Sequence, residues 1–168
     1  MLFRSDHAQI KQDFASWLEN FITVPNPKLG NWPPCPYAKQ AWMQNKVKLL
    51  FNEDNNLENS VVQALPLLDT KEVVIVCFDH TKISGTDLQK LVVDINKKIM
   101  PKYVILEDHP DIHEEINGVV MNFGKCGLLV ISELSKLNQA SDQLKKTTYY
   151  DVWTPEQIND VVSWRYEK

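Results

Sequence analysis

The residues in this chain best suited to chemistry at neutral pH are Cys35, within Trp32-Pro33-Pro34-Cys35-Pro36-Tyr37-Ala38, and two Asp-His pairs, Asp79-His80 and Asp108-His109. Cys35 stands at the start of a short helix predicted over 36–45, with Pro36 in the first turn where its missing N–H costs nothing. A thiol so placed feels the positive end of the helix dipole and free N–H groups, which lower its pKa and make it a nucleophile, a redox centre or a metal ligand. The imidazoles of His80 and His109 are suited to general base, proton carrier or ligand to a transition metal such as Zn or Fe, with Asp79 and Asp108 to orient them. Trp32 and Tyr37 flank the thiol as candidate substrate contacts. The plainer alternatives are a small buried filler for Cys35 and capping or surface roles for the two histidines.

These groups converge only if the intervening elements place them together. Ile10, Phe14, Trp17, Leu18 and Phe21 predict a helix over 7–22, capped by Ser5 or Asp6. Residues 24–34 hold four prolines and one glycine, a rigid extended approach to Cys35. Strands over 46–51, 72–78 and 103–106 alternate with helices over 57–65 and 86–99, the second opened by a capping box from Thr86 to Gln89. Strands so connected run parallel with right-handed crossovers, and ligands gather at their carboxyl ends. Asp79-His80 and Asp108-His109 follow two of those ends, and the helix at Pro36, antiparallel to the first strand, aims Cys35 at the same edge.

The second half reads as a hairpin of 119–123 and 128–132 around Gly124-Lys125-Cys126-Gly127. A helix over 134–145 follows, then Tyr149, Tyr150 and Trp153 as core packing or a pocket wall. A last helix opens at Thr154-Pro155-Glu156-Gln157. The predicted fold is one α/β domain over 1–168, three-layer-like, with a mixed sheet. Residues 1–34 supply a helix and the approach loop, 35–110 a parallel βαβαβ part, and 111–168 an antiparallel hairpin plus helices.

A chain of 168 residues is long enough to bury a core without staples. Its net charge is −4 and its Lys and Arg are scattered, which argues against nucleic acid as a partner. Apolar runs are strand-sized, well short of the roughly 20 residues that cross a bilayer, so no membrane partner is expected. Residues 1–6 lack the apolar core of a signal peptide. Cys35, Cys77 and Cys126 form an odd set without metal-finger spacing, which predicts reduced thiols and a cytoplasmic location, with Cys77 in the core and Cys126 in an exposed turn. The five glycines form neither a phosphate loop nor a dinucleotide fingerprint, so no nucleotide cofactor is expected. Asp108, Asp111, Glu114 and Glu115 read as a solvated acidic face, or else as a divalent-ion site.

Cys35-Pro36-Tyr37-Ala38 is similar to the Cys-Pro-Tyr-Cys active site of glutaredoxins with Ala38 in place of the second cysteine, which implies monothiol chemistry. More broadly, Trp17, the same tetrad and His109-Pro110 resemble small bacterial and phage proteins with a Cys-Pro-Phe/Tyr-Ala signature. That resemblance marks the tetrad as a family hallmark and brings no reaction with it. The residues support a small enzyme with a Cys35-centred site performing a thiol-dependent transfer or redox step on a small-molecule or thiol substrate. Two alternatives stand beside it: a metal-dependent enzyme using the same Cys, His and Asp side chains as ligands, and a non-catalytic adaptor docking through Trp32, Pro33, Pro34 and Tyr37.

Overall fold

Val73-Val74-Ile75-Val76-Cys77-Phe78 is apolar throughout because it forms β2 (Val73–Phe78), a strand covered on both faces. The computed structural model describes residues 6–167; the Ser5 cap and the leader reading of residues 1–5 lie outside them. β1 (Val47–Phe51) pairs parallel to β2, and β6 (Gly127–Glu133) lies antiparallel between β2 and β3 (Tyr103–Asp108), giving the order β1-β2-β6-β3. The fold is therefore a single-domain mixed α/β sheet with parallel and antiparallel pairs. The parallel strands of the first half are not all neighbours, because the chain returns after β3 and inserts β6 among them.

The antiparallel hairpin is present but formed by other residues. β4 (Glu115–Ile116) pairs with β5 (Val119–Val120) across Asn117-Gly118, both at positive φ, the geometry of a two-residue type I′ turn. Residues 128–132, expected as the second arm of a hairpin with 119–123, instead belong to β6 and fill the sheet. Gly127 is required there: a Cβ would lie 2.1 Å from Phe78 Cζ across the β2–β6 pair.

Helices cover both faces. α3 (Leu57–Ala64) and α4 (Gly85–Ile99) bury Val61, Leu88 and Val92 against Val74, Val76, Ile105 and Leu129. On the other face α1 (His7–Trp17) and the π-helical turn 18–22 bury Ile10, Phe14 and Leu18 against Ile75, Cys77 and Leu128. The cap of α4 is Ser84, whose hydroxyl accepts from Asp87 N, two residues earlier than the box expected at Thr86. α5 (Leu134–Lys145) follows β6 directly and packs on β6 and β3, and α6 (Pro155–Val161) opens with the expected Thr154–Gln157 capping box.

Cys126 is not an exposed turn thiol. It is 1 % exposed and bonded to Cys77, itself fully buried, across 49 residues. The expectation of three reduced thiols is thereby corrected. Among the described residues no helix is long and apolar enough to cross a membrane.

Candidate functional site

Cys35 is held from both sides of its loop. Its N–H donates to Ile22 O at 3.1 Å, Tyr149 OH donates to Pro34 O, and Trp32 Nε1 donates to Thr148 Oγ1 at 3.0 Å. Residues 32–35 are thus pinned both to the π-helical turn and to the segment after α5. Cys35 faces a cleft of about 710 Å3 beside the edge strand β3, whose walls include Tyr37, Glu107, Glu114, Tyr149, Tyr150 and Arg165. A cleft of that size accommodates a drug-sized molecule.

The helix expected to activate the thiol begins later, as α2 (Ala38–Met43), and is short. The N–H groups of Tyr37 and Ala38 do favour the thiolate, but burial outweighs them and pushes the Cys35 pKa up, contrary to the activation expected from a helix start. Cys35 is nonetheless exposed. Both observations hold because the thiol opens onto the cleft rather than onto bulk solvent: water reaches it, while the surrounding protein weakens solvation of a charge.

The Asp-His pairs meet each other, and they do not line this cleft. β2 and β3 end at the same edge, and His109 reaches over the start of β6 so that its ring lies 5.8 Å from that of His80, edge to face. His109 is fully buried. Its Nδ1 accepts Asp111 N–H at 3.0 Å, so its Nε2 carries the proton and donates to Ile83 O at 2.8 Å and His80 O at 3.2 Å. With both nitrogens committed to backbone, His109 is a latch between two loops, not a general base for Cys35. Asp79 accepts from Thr81 N–H and O–H as the cap of a single 3₁₀ turn over 80–82. Asp108 accepts from Asn122 Nδ2 at 2.8 Å and Phe123 N at 2.9 Å. The composite site of Cys35 with these four residues is therefore not assembled. Among the described residues no three His, Cys, Asp or Glu side chains converge as a metal ion would require.

Of the two expected substrate contacts, Tyr37 lines the cleft and donates to Ala140 O, whereas Trp32 packs edge-on against Tyr149 behind it. Of the expected docking surface, the indole N–H and ring of Trp32 are used internally and Pro34 is buried, while Pro33 is half-buried and Tyr37 exposed.

Glu107 is a functional candidate that the sequence does not single out, and Glu114 stands there only within an acidic cluster expected as a solvated face or a divalent-ion site. They belong to an acidic run that ordinarily lies in solvent, and here the fold turns them inward. Burial raises the pKa of Glu107 and of Asp108, for Asp108 against hydrogen bonds from Phe123 and Asn122. Glu114 is pushed up to about 7, first by burial and then by Asp108 and Glu107. A carboxyl group that titrates near neutrality is suited to proton transfer.

The same shift makes stability depend on pH. Glu114 binds its proton more tightly folded than unfolded, so its favourable contribution is complete below about pH 4.5 and is lost as pH rises to about 7. Urea midpoints measured across that window should fall with pH in the wild type and fall less in Glu114→Gln. Equal slopes in the two proteins would place Glu114 in solvent.

The fold and the cleft define a single-domain α/β protein with a mixed four-stranded sheet and an aromatic, carboxyl-bearing cleft along its edge strand. Searches of protein-family models, curated proteins and solved structures find no match to this chain.

Proposed function

We propose that the chain is an enzyme acting on a small organic molecule by thiol-dependent transfer, with Cys35 as nucleophile and Glu114 as proton carrier. The observation that carries this reading is that Cys35, the free thiol, and Glu114, a carboxyl titrating near pH 7, line one cleft. Cys35 is in electrostatic reach of Tyr149 and Tyr150, and Glu114 of Asp108 and Glu107, and both groups line the cleft that a bound molecule fills. In the reaction, sulfur attacks an electrophilic carbon of the substrate. The thiol proton passes, through the bound molecule or a water, to the Glu114 carboxylate, which returns it to the departing group as the S–C bond forms. Water or an amine then takes the carbon from sulfur, and its proton passes by way of Glu114 to the departing Cys35 sulfur, which restores the thiol.

p-Nitrophenyl acetate tests this directly, because acyl transfer to sulfur releases p-nitrophenolate. The wild type should show a burst of one equivalent and an acetyl group on Cys35 by peptide mass. Glu114→Gln should slow the burst at least about 10-fold at pH 7. A burst that survives Cys35→Ser would sink the reading.

One observation favours a second reading, a binding protein without chemistry: the burial that raises the Cys35 pKa keeps the thiol protonated. Absence of acetylation with intact ligand binding would select it. The cytoplasmic location expected from the sequence belongs to the same proposal, and the redox state of Cys77 and Cys126 in cells tests it, since buried disulfides are uncommon in a reducing compartment.

A further inference from the structure

Arg165 lines the same cleft, and the reaction proposed above makes no use of it. The residue is 4 % exposed. Its Nη2 donates to Ser141 Oγ at 2.7 Å and its Nε to Val162 O at 3.3 Å, while Nη1 is buried with no hydrogen-bond partner among the described residues. A guanidinium stays charged, and buried charges are ordinarily paired. The carboxylate that acts on it is Asp142, but that group accepts from Tyr166 OH at 2.8 Å and lies 3.6 Å from Lys145 Nζ. The structure therefore holds a buried cation at a cleft wall with a donor to spare and its acidic neighbour engaged elsewhere.

From this we infer that the ligand of the cleft is a small organic carboxylate with an apolar body, the carboxylate paired with Arg165 and the body lying against Leu137, Leu144 and Tyr149. The inference rests on the cleft being the site of the proposed reaction and names its substrate class. A carboxylate matches the planar fork of a guanidinium with two parallel N–H···O bonds. Nη1 is covered by protein, so pairing requires the guanidinium to turn toward the cleft, at the expense of its long bond to Val162 O. Tyr150, whose OH donates to Ser141 Oγ at 3.3 Å, is in electrostatic reach of both Arg165 and Cys35. A molecule anchored at Arg165 thus extends past Tyr150 toward the thiol. A monoanion fits better than a phosphate dianion, because Arg165 is the one guanidinium in the cleft lining and the same lining carries Glu107 and Glu114.

Calorimetric titration of the wild-type chain with pentanoate, pentanamide, pentylamine and butyl phosphate tests the inference without relying on thiol chemistry. Pentanoate should bind at least tenfold more tightly than each of the other three, and Arg165→Gln should remove that preference. Arg165→Lys, which keeps the charge but not the fork, should weaken pentanoate severalfold; it decides the matter if Arg165→Gln does not fold. Equal binding of pentanoate and pentanamide by the wild type would overturn the inference, as would tighter binding of butyl phosphate. Carboxylate binding without acetylation of Cys35 would sink the proposed reaction and leave the anion site standing. Acetylation without any preference for carboxylates would do the reverse.

Discussion

Replacing His109 with alanine is expected to lower stability by about 3–5 kcal/mol, a large share of what a domain of this size possesses. The imidazole is fully buried and bonded at both nitrogens. Its removal leaves the part-buried Asp111 N–H and the Ile83 and His80 carbonyls without that partner beside a new void, and each costs up to about 1–3 kcal/mol where water does not replace the imidazole. The effect should reach the cleft as well, since His109 fixes the loop that carries Ile112 and Glu114. His109→Asn can restore the acceptor for Asp111 N–H, and His109→Gln a donor toward Ile83 O, so both should recover part of the loss. Urea denaturation of the three variants reads this, and a loss below about 1 kcal/mol in the alanine variant would show that the loops hold without the latch.

Much of the chain's order is legible in the residues themselves. The β-branched run at 73–78 announces a buried strand, the period of α4 its buried stripe, and Thr154-Pro155-Glu156-Gln157 a helix start, because each is a local signal. The two Asp-His pairs are rightly assigned to one edge, although β2 and β3 are separated by β6. What is not legible depends on long-range pairing. Residues 127–133 carry the same apolar signature whether they complete a local hairpin or insert into the sheet, and the tight fit of Gly127 against Phe78 that marks the insertion exists only after folding.

The site shows the same division. Strand alternation places Glu107 and Asp108 on opposite faces, a period that separates a cleft-lining carboxyl from a structural one. Asp108 turns to Asn122 and Phe123, while Glu107 lines the cleft. Nothing local distinguishes Glu114 from its solvated neighbours, however, and nothing near Arg165 announces a buried cation. Both acquire their character from burial, which charge patterning does not record. Cys35 carries the opposite lesson: the helix begins three residues beyond it, at Ala38, and although the N–H groups of Tyr37 and Ala38 favour the thiolate, desolvation reverses the direction that a helix start predicts.

Removing the Cys77–Cys126 bond is the second large effect expected. A crosslink spanning 49 residues restricts the unfolded chain by an amount worth about 4 kcal/mol in the loop-entropy account. Both cysteines lie in the core shared by Phe14, Phe123 and Leu128, so a Cys77→Ala/Cys126→Ala double variant also loses contacts there. Its urea midpoint should fall accordingly, and the wild type in reductant should approach it only as fast as the chain unfolds, since the sulfurs are shielded in the native state. Alkylation in denaturant without reductant should mark one cysteine, Cys35, and after reduction three. Three labels before reduction would show that the chain folds with free thiols. That result would restore the basis for a cytoplasmic location while leaving Cys35 the cysteine that faces the cleft, because Cys77 and Cys126 are buried whether or not they are joined.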